Sequence, residues 1–238
     1  MAPLEPWEKV LVSADFLKSS HGKFTCIDCH GGVQANTKEK AHTGLVSDPS
    51  KSKVAACATC HAQQAAGFDK SLHVTLNGYQ TVLAARSTAE QKPALDKMFG
   101  NHCANCHVSC GDCHISQPKS VGAGFLNGHV MEKTPPMTRT CTACHGSRVG
   151  NEYLGHNEEI PGDVHFREER MNCVTCHTGA DMHATPAEAN SHRYAGAQVP
   201  KCETCHAKVG ASGDTVVQHV VHQGKLSCQV CHSVSYSN

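Results

Sequence analysis

Residues 103–114 read CANCHVSCGDCH, two copies of Cys-x-x-Cys-His with only Val108 and Ser109 between them. The same unit recurs as CIDCH (26–30), CATCH (57–61), CTACH (141–145), CVTCH (173–177), CETCH (202–206) and CQVCH (228–232). All 16 cysteines of the 238-residue chain fall in these eight units, and none is left over. Apart from the tight pair and the gap before it, the units follow one another at about 30 residues, the kind of period that marks an array.

Cys-x-x-Cys-His is the attachment signature of c-type haem. On one helical turn, residues i, i+3 and i+4 share a face. Two thiols can then form thioethers with the porphyrin vinyl groups while the histidine reaches the iron. Cys-x-x-Cys pairs also build zinc sites and redox dithiols. Histidine makes up 19 of 238 residues, so eight trailing histidines by chance have odds of roughly one in a billion. The attachment residues expected are Cys26, Cys29, Cys57, Cys60, Cys103, Cys106, Cys110, Cys113, Cys141, Cys144, Cys173, Cys176, Cys202, Cys205, Cys228 and Cys231. The proximal iron ligands expected are His30, His61, His107, His114, His145, His177, His206 and His232.

On these motifs the chain resembles the multihaem c-type cytochromes over residues 21–232. The resemblance implies eight haems c, low-spin bis-histidine iron, and electron transfer without substrate turnover, in extracellular or periplasmic anaerobic respiration. It also implies export, because haem is attached beyond the cytoplasmic membrane. The N-terminal MAPLEPWEKVLVSADFLKSS has no apolar signal-peptide core, so the leader is expected to lie outside this sequence.

Composition agrees with an interior not made of side chains. Aromatics are 5 %, the 39 % hydrophobic count includes the cysteines, and there are 20 glycines and 10 prolines. About 30 residues per haem cannot wrap each porphyrin separately, so the porphyrins are expected to pack on one another. The fold expected is a multihaem cytochrome: mostly irregular, short α-helices at the motifs, little or no β-sheet, and a haem-packed core. Two longer helices are expected, Pro6 to Lys18 and Ala94 to Phe99, the second stopped by Gly100. The whole of 1–238 reads as one electron-transfer domain, with a loose sub-boundary at 74–100.

Each iron needs a sixth ligand or an open position. Eleven histidines lie outside the motifs. His42 and His73 each follow a motif histidine by twelve residues, while His21, His165 and His222 precede the next motif closely. In the family such upstream histidines often ligate the neighbouring haem. With His129, His183 and His219 these make the expected distal set; His102, His156 and His192 are reserves. Met98, Met131, Met137, Met171 and Met182 are minor alternatives.

The tight pair reads as a relay element. On a continuous helix seven residues span about 10 Å and nearly two turns; a break at Ser109 and Gly111 still tethers the two haems closely. Formal charge is zero, with 21 basic and 21 acidic residues, and no stretch approaches a membrane span. Haem propionates would make the holoprotein acidic, favouring redox partner proteins or extracellular acceptors over nucleic acid. The second function class is an octahaem oxidoreductase acting on nitrite, hydroxylamine or tetrathionate. Such enzymes mark one haem by an unusual ligand, whereas all eight motifs here end in histidine, and Tyr79, Tyr153, Tyr194 and Tyr236 show no telling spacing. Filament-forming cytochromes are a third comparison: they share haem ligands between subunits, a role for which His21, His219 and His222 lie suitably near the ends.

Overall fold

The computed structural model describes residues 11–51, 55–101, 108–183 and 200–233. Trp7, His102, Cys103, Cys106, His107, His192, Tyr194 and Tyr236 lie outside these. Every described Cys-x-x-Cys-His unit carries a helical turn: Cys26–His30, Ala55–Ala58, Cys110–His114, Thr142–His145, Cys173–Cys176, Cys202–Cys205 and Gln229–His232. The turns close by the motif histidine's N–H donating to the first cysteine's carbonyl, at 2.8 Å in His61 and His177 and 3.0 Å in His145 and His232. Strand content among the described residues is confined to isolated bridges, Ser116 with Phe125 and Asn127 with His129.

Local sequence explains where several turns begin. Thr25, Ser109 and Asn172 stand just before a first cysteine in extended conformation, and each forms a capping box with Asp28, Asp112 or Thr175. Asp112 is buried, accepting from the Ser109 N–H at 2.8 Å and the Ser109 hydroxyl at 2.9 Å. Ser50 docks on the same cap, its hydroxyl 2.9 Å from that of Ser109. Gly111 lies against Ser50, where a Cβ would collide with its hydroxyl. The motif at 110–114 therefore opens a fresh helix at Ser109 rather than continuing one from residue 103.

Both longer helices differ from expectation. The first starts at Ala14, because Ser13 caps it and Leu11 takes a left-handed φ of 55°; residues 1–10 lie outside the described segments. The second spans Lys92–Asn101 and runs through Gly100. Glycine costs a helix interior only about 1 kcal/mol, and here it does not end one. That helix packs on Asn77–Ala85 through an edge-on contact of Tyr79 with Phe99, 5.7 Å between ring centroids. No described helix is long and apolar enough to cross a membrane.

Among the described residues only Ala65, Phe68, Leu76 and Val108 form buried apolar core. A compact protein of 25.4 kDa would expose roughly 10,000 Å²; this chain exposes 16762 Å². The uncovered apolar side chains cluster at the motifs and beside non-motif histidines: Leu17 and Phe24 near His21, Ile27 in the first motif, Val217, Val220 and Val221 around His219, and Val230 in the last motif. Much apolar side-chain surface among the described residues is thus left uncovered.

Candidate functional site

Six motif histidines each stand opposite one histidine from outside the motifs. The pairs are His30 with His129, His61 with His21, His114 with His183, His145 with His73, His206 with His165 and His232 with His219. Their ring centroids are 6.0, 6.1, 6.0, 6.1, 5.9 and 6.0 Å apart, in that order. Interplanar angles meanwhile run from 13° to 88°. Ordinary ring packing ties angle to distance and spreads over about 4.5–7 Å. A fixed separation with free rotation is what two imidazoles on a common axis give. Two metal–nitrogen bonds of about 2 Å and two ring half-widths of about 1 Å sum to about 6 Å.

The other ring nitrogen is held as such a ligand requires. Every histidine hydrogen bond among the described residues uses Nδ1, leaving Nε2 without one. His30 Nδ1 donates to the Val46 carbonyl at 2.8 Å while the Val46 N–H donates to the His30 carbonyl at 2.7 Å. His114 and Glu132 repeat this two-point clamp, at 2.7 Å in both directions. His183 donates to the Gly179 carbonyl at 2.8 Å, and His129 makes a longer contact of 3.4 Å with that of Leu11. His165, His177 and His219 instead donate to the carboxylates of Asp163, Asp181 and Asp214, at 2.8, 2.7 and 3.1 Å. Metal-bound histidines almost always use the second nitrogen in this way, which fixes tautomer and ring orientation.

Burial lowers the pKa of His73, His114 and His145, keeping them neutral as a ligand must be. The thiols also form a series. Cys29 lies near Cys57, Cys57 near Cys110, Cys113 near Cys141 and Cys144, Cys141 near Cys173, Cys176 near Cys205, and Cys202 near Cys228. Burial, with the neighbouring thiols, pushes Cys113 up to about 12 and Cys141 to about 11, while the Cys110 thiol holds Cys57 down at about 7. The seven described motifs thus adjoin one another in chain order.

Of the eight expected distal histidines, His21, His73, His129, His165, His183 and His219 are opposite a motif histidine. His42 and His222 are exposed and stand opposite no described histidine; nor does His156. His177 likewise has no described histidine across from it, and Tyr153 lies near its motif, donating to the Met171 carbonyl at 3.1 Å. The residues missed by sequence are the buttresses Asp163, Asp181 and Asp214. Each lies two to five positions from the histidine it holds, a signal that spacing alone offers. Among the described residues no three His, Cys, Asp or Glu side chains converge as a tetrahedral zinc site needs. Comparison with protein-family models, with curated proteins and with solved structures gives no match.

Proposed function

We propose that this chain is a multihaem c-type cytochrome that carries electrons through eight covalently attached haems. The observation that carries the reading is the set of six histidine pairs at 5.9–6.1 Å, each joining a Cys-x-x-Cys-His unit to a histidine elsewhere in the chain. The residues fit the group. Each described thiol pair sits on one helical turn with its histidine, six of the seven described motif histidines have an opposing ring at a centroid distance that matches two metal–nitrogen bonds, and the hydrogen bonds of these histidines use Nδ1 rather than Nε2. The sparse apolar core and the uncovered apolar lining support a bulky apolar group in the interior.

Bound haem supplies a reversible one-electron couple at iron, with potential set by axial ligands and their hydrogen bonds. The chain's own part is positional. Val46, Glu132 and Gly179 carbonyls and three aspartates aim the rings, and the helical turns hold the thiols. The adjacency of thiols among the seven described motifs supports a continuous series rather than isolated centres. The bis-histidine pairing favours electron carriage over turnover of a small oxidised nitrogen or sulfur substrate, since a ligated iron has no open position. On this reading the site of action is periplasmic or extracellular, where attached haem is made, and partners are redox proteins or external acceptors.

The test is expression with haem-attachment machinery, followed by intact mass and visible spectra. Eight covalent haems with low-spin bands in both oxidation states are expected. A colourless chain, or zinc bound at the thiol pairs, overturns the proposal. A large high-spin fraction would favour the oxidoreductase reading, with His177 the first place to look.

A further inference from the structure

Four of the six histidine pairs have an Nδ1 partner among the described residues, and its type changes along the chain. In the pairs His30–His129 and His114–His183 every Nδ1 contact is to a backbone carbonyl: Val46, Leu11, Glu132 and Gly179. In His165–His206 and His219–His232 one member instead donates to a carboxylate, Asp163 or Asp214. The one other carboxylate contact, Asp181 on His177, belongs to the same C-terminal part of the chain. The Asp181 and Asp214 side chains are shielded, with exposures of 9 % and 10 %, while Asp163, at 42 %, is open to solvent and its charge is screened more.

A carbonyl offers Nδ1–H a dipole; a carboxylate offers a full charge and draws the proton toward itself. The imidazole then becomes a more basic, partly anionic donor at Nε2. Such a ligand stabilises the ferric state, which carries one more positive charge than the ferrous.

Resting on the proposed function, we infer that Asp163 and Asp214 are positioning residues that make the C-terminal haems the low-potential end of the series. Asp181 extends the effect to the sixth motif. At partial reduction the electrons then reside on the N-terminal half. With haem bound, a one-electron transfer from a ferrous centre held by the carboxylate-backed histidines to a ferric centre held by the carbonyl-backed ones would oxidise the first and reduce the second, with no proton moved. The molecule has a direction as well as a path.

The test uses the holoprotein and its Asp163→Asn and Asp214→Asn variants in spectroelectrochemical titrations, with haem content measured on the same samples. Asp163 also caps the Val164–Arg167 helix, and asparagine caps about as well as aspartate, so this variant keeps its fold. Asp28→Asn is the control. It removes a carboxylate from the first motif that bonds Thr25 and no imidazole. Asp214→Asn is expected to raise its reduction equilibrium constant about tenfold, or about 59 mV for one electron, and the more exposed Asp163→Asn by less, both in the low-potential limb alone. The ferric low-spin resonance of that site should shift toward the class given by carbonyl-backed pairs. Asp28→Asn leaves the low-potential limb in place. Eight haems with both test curves superimposed on wild type, or moved no more than the control, overturn this inference and leave the proposed function standing. Absence of haem overturns both.

Discussion

Replacing His129 by phenylalanine separates the axial-pair geometry from ordinary packing. His129 touches Phe125 and Phe16, with ring centroids 4.9 and 5.7 Å away, and stands 6.0 Å from His30. Phenylalanine keeps the two ring contacts and removes the nitrogen. Under the proposed function the lost bond released a link between positions 30 and 129, closing a loop of about 100 residues and worth up to about 4.7 kcal/mol in chain entropy. His219→Phe breaks a link to His232 that closes only about 14 residues, worth up to about 3 kcal/mol. Both figures are ceilings, because a coordinate bond breaks and re-forms where a disulfide does not. Guanidinium unfolding of the holoproteins, followed by far-ultraviolet circular dichroism, should rank wild type above His219→Phe and His219→Phe above His129→Phe. Each variant should also turn one iron in eight high-spin in the visible spectrum. If His129→Phe left every iron low-spin, the pairing would be wrong.

Other perturbations test the fold itself. Gly111→Ala sets a methyl against the Ser50 hydroxyl and should cost about 1–3 kcal/mol; Ser50→Gly in the same chain should recover much of it in a double-mutant cycle, and additive losses would refute the contact. Burial raises the Asp48 pKa, but hydrogen bonds from Lys51 and Ser50 and the Lys51 charge outweigh it, so the net shift is downward. Asp48 therefore adds stability that is complete above its unfolded value of about 4 and fades as pH falls through its lower folded value. The stability gap between wild type and Asp48→Asn should be constant from neutral pH to about 5 and close below about 4, as read by urea midpoints; a gap that widens in acid would contradict the assignment. Arg139 donates to Gln117 and to the Leu126 and Phe125 carbonyls, at 3.2, 2.9 and 3.2 Å. Lysine cannot span that fork, so Arg139→Lys should lower the urea midpoint by the equivalent of about 1 kcal/mol, with visible bands unchanged.

What the sequence made legible was the local chemistry. A cysteine pair and a histidine on one turn follow from spacing alone, and the scarcity of strand follows from a chain dense in motif and turn residues. The caps at Thr25, Ser109 and Asn172 were equally available, as small polar residues placed just before a first cysteine. Partner choice was not. His42 and His73 follow their motifs by the same twelve residues, yet His73 sits inside the half-buried Leu72–Thr75 turn opposite His145, while His42 ends the Lys38–Ala41 helix in solvent. Which histidine meets which motif depends on how distant turns pack, and no local pattern encodes a meeting of residues 30 and 129. The upstream histidines show the same limit. His21 and His165 pass over the adjacent motif to pair with the following one, whereas His219 pairs with its own neighbour. The expected stop at Gly100 failed for a simpler reason: propensity is a weak prior, and the Tyr79–Phe99 contact favours continuing the turn.

The pairs that would conduct are also the pairs that would fold the chain. Four buried apolar side chains among the described residues cannot offset the ordering of a chain this long, since fixing each backbone residue costs about 1–2 kcal/mol. Nearly all the hydrogen bonds that order the motifs are short-range, closing turns and caps rather than joining distant segments. Beside a few hydrogen bonds such as Ser50 to Ser109 and His129 to Leu11, long-range joints among the described residues include the histidine pairs 21 to 61, 30 to 129, 73 to 145, 114 to 183 and 165 to 206. Several interleave, so that the 73–145 and 114–183 links each enclose one end of the other, and 30–129 does the same with both. Interleaved links cannot be released one after another without loosening the rest. On the proposed function, attachment of the group therefore supplies the tertiary structure as well as the redox chemistry. It follows that spacing between centres is set by the same joints that keep the chain folded, and that a change which moves one centre has to be tolerated by every centre whose link interleaves with its own.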